Sequence, residues 1–167
     1  MPQAYRSYYT HSENDQNKNR TLDLFTISRQ KLLLFLLRLT PLYRERKDIN
    51  QMYLGKIKPG RLLAIGCGNG MRLAPLADVG WSIEGQEIDP ISAAIASKNG
   101  IMVHLGSLED INLPAASYDA IVMNHVIEHV YDPIKLLVEC QRLLSSNGVL
   151  VAVTPNINSY GHRTFKM

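Results

Sequence analysis

The 167-residue sequence predicts an α/β fold, a doubly wound parallel sheet with helices on both faces. From Arg61 onward, short apolar runs alternate with segments of helical periodicity, and the connections between them are short. The run Tyr118–Met123 is apolar on both faces, which is typical of a central parallel strand. Such sheets bind ligands at the carboxyl ends of their strands, so the loops after the strands are the place to look for function.

The composition describes an ordinary globular chain, with 46% hydrophobic and 20% charged residues. The longest strongly apolar run, Leu32–Leu37, is far shorter than the roughly 20 residues of a membrane span. No signal-peptide core is evident, so we expect a cytoplasmic protein. Two cysteines, Cys67 and Cys140, are too few for a disulfide framework or a zinc site, and we expect reduced thiols.

The sequence predicts two parts, a helical extension or lid in residues 1–55 and the main domain in residues 56–167. Helical periodicity over Thr21–Leu39 should end near Pro41, and a second short helix is predicted over Tyr43–Leu54.

The first part is basic, since residues 1–60 hold 11 Lys and Arg against 5 Asp and Glu. Residues 29–47 combine basic and apolar side chains. This pattern favours a lid over the substrate pocket, with weak contact to a membrane surface as the alternative. No nucleic acid partner is expected.

In the main domain, the sequence predicts five strands and three helices in alternation. Asp89-Pro90 and Asp132-Pro133 each combine an N-cap with a first-turn proline. The last helix places Ile134, Leu137, Val138, Gln141 and Leu144 at helical spacing and should end at Asn147-Gly148. The predicted strands are Arg61–Ile65, Ser82–Ile88, Ile101–His104, Tyr118–Met123 and Val149–Thr154, and the first two helices are Met71–Val79 and Ile91–Lys98.

A glycine loop, Gly66–Gly70, leaves the first strand and enters a helix. Glu87 lies at the end of the next strand, where a carboxylate can accept hydrogen bonds from the ribose hydroxyls of an adenosine. A nicotinamide dinucleotide site would show G-x-G-x-x-G, but its last position here is Met71. The observed G-x-G-x-G therefore favours a ligand without a pyrophosphate.

The pattern H-x-x-E-H, from His125 to His129, also matches an inverted zinc-protease motif. That motif requires a long helix and a further acidic ligand downstream. Here it follows a buried strand and little sequence remains, so no metal is predicted.

Taken in order, these segments resemble the class I S-adenosylmethionine-dependent methyltransferases, which have a Rossmann-like fold. The resemblance covers about residues 56–160 and is strongest to small-molecule enzymes, including ubiquinone-biosynthesis O-methyltransferases and enzymes encoded near polysaccharide genes. The matching segments are Leu62–Gly70, Glu84–Pro90, Gly106–Asp110, Ser117–Val130 and Leu143–Leu150.

The resemblance implies S-adenosylmethionine as the cofactor and S-adenosylhomocysteine as its product. It also implies methyl transfer to a small-molecule acceptor, most simply at oxygen. His129 and His125 are the candidates for general base. The implied cofactor-binding residues are Gly66, Cys67 and Gly68 at the methionine end, Glu87 at the ribose, Ile88, Ser107 and Leu108 at the adenine, and Asn124 and His125 near the sulfonium.

Two positions depart from the family pattern. An acidic residue is common where Ser107 stands, and an aspartate that orders the methionine end is usual where Ala64 stands. No segment resembles the family's sixth and seventh strands, so we expect a C-terminally short domain whose fifth strand has an open edge, which is an aggregation hazard or a possible homodimer contact. A cofactor-binding protein without turnover and a nicotinamide oxidoreductase remain as alternatives.

Overall fold

A computed structural model describes residues 40–156 of the chain. Two compact units divide the chain between Ile57 and Lys58. In the first unit, helix α1 spans Pro41–Asn50, with the proline in its first turn. The predicted helix Tyr43–Leu54 extends beyond the observed end at Asn50, because Met52 and Tyr53 have left-handed φ values of 46° and 58°. The predicted helix Thr21–Leu39 and most of the basic segment lie outside the described residues.

The second unit is a five-stranded parallel sheet in the order β3-β2-β1-β4-β5. This confirms the predicted fold class. The strands are β1 (Arg61–Ile65), β2 (Ser82–Glu87), β3 (Met102–Leu105), β4 (Tyr118–Asn124) and β5 (Leu144–Val153). The helices are α2 (Ala74–Ala77), which follows a 3-10 turn at Met71–Leu73, α3 (Pro90–Lys98) and α4 (Pro133–Leu143).

Both predicted N-caps are confirmed. The Asp89 carboxylate accepts hydrogen bonds from the backbone N–H groups of Ile91 and Ser92 at the start of α3. The Asp132 carboxylate accepts one from Lys135 at the start of α4. These caps satisfy amides that have no partner inside the helix, and they fix where each helix leaves the sheet edge.

The two faces of the sheet are covered by different helices. Helix α4 packs on the face that carries Leu63 and Ile65 of β1, in a core that also includes Ile121 and Met123. Helix α3 packs against β2 and β3. On that side Gly85 leaves no room for a side chain, since an added Cβ would lie 2.5 Å from the sulfur of Cys67. The glycine therefore lets the loop after β1 lie close to β2.

The residues that the sequence analysis placed at helical spacing do not form the buried face of α4. Ile134 and Val138 are 69% and 59% exposed. The buried face instead consists of Leu136, Cys140 and Leu143, which also recur at helical spacing. Two apolar stripes run along this helix, and only packing against the sheet distinguishes them.

The predicted start of β5 at Val149 was also wrong. Helix α4 ends at Leu143 and the strand begins at Leu144, without the loop that Asn147-Gly148 suggested. The register shifts within this stretch, because Tyr118 pairs with Leu144 whereas Ala120 pairs with Val149. A Cβ on Gly148 would come within 3.0 Å of the Tyr118 carbonyl oxygen. The turn-forming residues therefore make a bulge in the strand.

The predicted helix Met71–Val79 is mostly replaced by tighter turns. Pro75 lies in the first turn of α2, and because proline cannot donate a backbone hydrogen bond, the α-helix begins only at Ala74. Within residues 40–156, no helix has the length and apolar character needed to cross a membrane. Any strand after β5 would lie outside the described residues.

Candidate functional site

The glycine loop after β1 depends on backbone conformations that favour glycine. Gly66, Gly68 and Gly70 have φ values of 62°, 56° and 78°. At Gly70 an added Cβ would lie 2.3 Å from the side chain of Ile101, so this position is closed by packing. At Gly68 an added Cβ would meet nothing within 4 Å. The loop is therefore anchored at its end and borders open space in its middle.

Three successive amides of this loop point to the last two residues of β2. The Gly66 N–H donates to the side-chain oxygen of Gln86 at 3.2 Å, and the Cys67 N–H donates to the Gln86 carbonyl at 3.0 Å. The Gly68 N–H donates to Oε2 of Glu87 at 2.8 Å. A pyrophosphate would need such amides as donors. Their use inside the protein disfavours the dinucleotide interpretation.

The Glu87 carboxylate is buried, with 8% of the residue exposed. Its Oε1 accepts from the N–H groups of Ile88 at 2.8 Å and Asp89 at 3.0 Å, while Oε2 accepts from Gly68. A carboxylate offers about four acceptor positions, so Oε2 retains one for a further donor such as a hydroxyl. Glu87 and the glycine loop, which the sequence predicts to share one site, are therefore in hydrogen-bond contact.

The loops after β1 and β4 meet where the strand order reverses. A Cβ on Gly66 would lie 2.6 Å from a methyl group of Val126, so these two loops are in direct contact. Asn124 ends β4, and His125 follows it with a φ of 54°. This strained position directs the chain across the sheet edge, because the His125 N–H donates to the Val153 carbonyl at 2.8 Å.

His125 and Glu128 form a side-chain pair beside this junction. Nδ1 of His125 lies 3.2 Å from Oε1 of Glu128, and the imidazole is about half exposed (49%). A carboxylate at one ring nitrogen fixes the tautomer and leaves the other nitrogen to act as a base. His129 is exposed and lies in the 3-10 turn Ile127–His129.

The zinc-protease interpretation does not fit this geometry. His125 lies before the 3-10 turn in a left-handed conformation, so the two histidines do not share a long helix. Among residues 40–156, no group of three His, Cys, Asp or Glu side chains could hold a metal ion.

The loop after β3 places a carboxylate that the sequence analysis missed. The Ser107 hydroxyl donates to Oδ2 of Asp110 at 2.5 Å, so an acid accompanies the serine that stands where the family often has one. The Leu108 side chain is buried in the core. Ile88 remains 41% exposed after β2.

The Cys67 thiol is held neutral by its surroundings. Burial, together with the nearby negative charge of Glu87, raises the pKa of this thiol to about 11. A thiol in this state packs as a small apolar group.

A second cluster lies around Glu84, two residues before Gln86 on β2. The Glu84 carboxylate accepts from Nη2 of Arg61 at 2.7 Å and from the Tyr118 hydroxyl at 2.8 Å, and it lies 2.9 Å from Nε2 of His104. Burial opposes the charge of this carboxyl, but these three hydrogen bonds outweigh it and lower the pKa of Glu84. The cluster connects side chains from four strands, β1 to β4, and we assign it a role in stabilising the sheet.

Residues 37–166, more than half of the chain, match the family model described as a methyltransferase domain. The chain belongs to the class I S-adenosylmethionine-dependent methyltransferases. S-Adenosylmethionine is the cofactor of this family.

One of the curated relatives is an O-methyltransferase. A ubiquinone biosynthesis O-methyltransferase of Cereibacter sphaeroides is 32% identical over 104 residues, which cover 59% of this chain and 42% of that protein. The chain thus spans less than half the length of this curated relative.

Among solved structures, an S-adenosylmethionine-dependent methyltransferase of Thermotoga maritima is 26% identical with a TM-score of 0.59, covering 84% of this chain and 63% of that one. The [4+2]-cyclase SpnF is 22% identical with a TM-score of 0.56, covering 64% of this chain and 43% of that one, and shares the fold alone.

The residues predicted to hold the ribose of the cofactor fit that role, and those predicted for its methionine end fit their role less fully. Gly68 borders open space beside the buried acceptor Glu87. Ala64 is buried on β1, between Gly85 and Val122, and offers no carboxylate. Sequence reasoning also missed Gln86 and Glu128. Gln86 gave no distinct signal in the sequence, because its neighbours on β2 include the polar residues Glu84 and Glu87.

Proposed function

We propose that this methyltransferase domain binds S-adenosylmethionine at the carboxyl edge of its sheet and takes part in methyl transfer to a small-molecule oxygen. The observation that carries the proposal is the junction between Gly68 and Glu87. The loop amide and the strand-end carboxylate share a 2.8 Å hydrogen bond beside open space. One acceptor position of the carboxylate remains for a ribose hydroxyl.

The other predicted residues surround this junction. Gly66 and Cys67 lie on the β1 side, where the methionine part of the cofactor would pass. Ile88 follows the acid and would contact the adenine, with the Ser107–Leu108 backbone at the adenine edge. Asn124 and His125 form the β4 side, next to the proposed sulfonium position.

The bound cofactor supplies an electrophilic methyl group on a sulfonium. Methylation of an acceptor hydroxyl by this group would leave S-adenosylhomocysteine and a hydroxyl proton for a residue of the chain to accept. His125, oriented by Glu128, is the residue proposed to take that proton, with His129 as the other candidate. Much of the rate in such a displacement comes from positioning and from exclusion of water. The ubiquinone biosynthesis O-methyltransferase among the relatives supports an oxygen acceptor.

Calorimetric titration of the 167-residue chain tests the cofactor. We expect S-adenosylhomocysteine to bind in the micromolar range or better and NADH not to bind. Binding of NADH alone would overturn the proposal. Transfer of tritium from labelled S-adenosylmethionine to an extract of small molecules then tests turnover.

A second candidate function is cofactor binding without turnover. It is favoured by Ala64, since a site without the usual acid at the methionine end holds that end less firmly. Tight binding without any transfer of label would select this candidate.

A further inference from the structure

Gln86 is a buried polar residue on β2, although the residues in register with it on β1 and β4 are apolar. Its backbone pairs in register with Ile65 on β1, which in turn pairs with Met123 on β4. Gln86 is 4% exposed. A buried amide costs free energy unless both of its polar ends are hydrogen-bonded, so its presence requires partners.

Both ends of the amide have partners, and each partner belongs to a different loop. The side-chain oxygen accepts from the Gly66 N–H at 3.2 Å. The side-chain nitrogen donates to the Gly106 carbonyl in the loop after β3. This orientation is fixed by chemistry, because a rotated amide would face a donor with a donor and an acceptor with an acceptor.

The two loops joined in this way are the two sides of the proposed cofactor site. The Gly66 loop lies at the methionine end, and the loop from Gly106 through Leu108 lies at the adenine edge. Backbone hydrogen bonds tie each loop to the end of β2, from the Cys67 N–H to the Gln86 carbonyl and from the Gly106 N–H to the Glu87 carbonyl, and a side chain also connects the two loops. The Gln86 side chain is a direct bridge between them.

We propose that Gln86 is a positioning residue, whose amide sets the separation of the loops after β1 and β3 and so pre-organises the cofactor site. This inference rests on the proposed function, since it assigns the pre-organised site to S-adenosylmethionine. Pre-organised sites bind more tightly because less ordering accompanies binding.

The variant Gln86→Met tests the bridge, since methionine keeps the length and removes both hydrogen bonds. Ile121→Val is the matched control, because Ile121 is fully buried on β4 and its truncation removes one buried methyl group away from the loops. We expect Gln86→Met to weaken S-adenosylhomocysteine binding about tenfold and Ile121→Val to leave it within twofold.

Amide hydrogen exchange without ligand supplies a second readout with an internal control. In Gln86→Met the Gly66 amide should exchange faster, whereas the Cys67 amide should keep its protection because it donates to the backbone carbonyl of residue 86. Unchanged Gly66 exchange, or unchanged affinity in Gln86→Met when the wild type binds, overturns the role of Gln86. If the wild type shows no affinity for S-adenosylhomocysteine, the proposed function fails and the cofactor role of the bridge fails with it, whatever the exchange data show.

Discussion

The backbone N–H of Gly68 donates a 2.8 Å hydrogen bond to the carboxylate of Glu87, across the gap between the ends of β1 and β2. Two residues from neighbouring strands thereby form a single junction. Because the rest of Glu87 is held by the amides of Ile88 and Asp89, the carboxylate has one fixed orientation. A ligand that binds here meets a preformed acceptor rather than one that must be ordered first.

The first prediction concerns the open space at Gly68. Gly68→Ala should lower the affinity for S-adenosylhomocysteine at least tenfold, because the methyl group of alanine would occupy the open space beside Glu87 where the ligand is proposed to bind. The left-handed φ of 56° adds a strain of about 1–2 kcal/mol. Calorimetric titration measures the affinity and thermal melting measures the stability.

Gly100→Ala is the matched control for this strain. Gly100 also has a positive φ, 85°, and open space around it, but it follows α3 and is not part of the proposed site. We expect a similar loss of stability and no loss of affinity. Equal affinities in the two variants would remove Gly68 from the binding site.

The second prediction concerns the base. His125→Asn should reduce turnover by roughly 10²–10⁴-fold, the usual contribution of a general base. Its free energy of unfolding should change by no more than about 0.5 kcal/mol, because asparagine tolerates the left-handed conformation and the side chain is half exposed. Label transfer and chemical denaturation measure the two effects.

Variants of Glu128 separate orientation of the imidazole from simple packing. Glu128→Gln keeps an oxygen that can accept from Nδ1 of His125, so it should retain more turnover than Glu128→Ala. Should His125→Asn keep most of its activity, the base lies elsewhere, and His129→Asn becomes the variant expected to lose turnover.

The third prediction concerns the pH dependence of stability. The pKa of Glu84 is lower in the folded state, so its contribution is fully present above the unfolded value of about 4.3 and is lost as the pH falls through the folded pKa. Glu84→Gln should reduce stability at pH 7 by about 1–3 kcal/mol and flatten the decline below pH 5. Thermal melting between pH 3 and pH 7 measures both.

Glu139→Gln is the comparison variant for this test. The Arg142 hydrogen bond, acting against a smaller effect of burial, likewise lowers the pKa of Glu139, but this i,i+3 pair lies on the surface of α4. Its loss should cost about 0.5 kcal/mol or less. If the two variants melt alike at every pH, the Glu84 cluster does not stabilise the sheet.

Local sequence rules were enough for the parallel α/β sheet, the glycine loop and the starts of α3 and α4. Asp89 and Asp132 cap their helices through neighbours two or three residues away, so their signals are complete within a short segment. The proximity of Glu87 to the glycine loop also followed, because parallel strands bring their carboxyl ends to one edge.

Features set by distant contacts could not be predicted in the same way. The bulge before Val149 depends on how closely Gly148 approaches the Tyr118 carbonyl, a contact between residues far apart in the chain. The bridge made by Gln86 likewise requires knowing that two loops lie on either side of one strand end. Neither contact leaves a periodic trace in the sequence.

The protonation state of Cys67 determines whether its sulfur could react with a methyl donor bound beside this loop. A thiolate is a strong nucleophile, and one beside an activated methyl group would compete with the intended acceptor. With its pKa raised to about 11, the cysteine keeps its proton throughout the neutral range. The same burial that packs this residue against β2 would therefore limit methylation of Cys67 by a cofactor bound as proposed.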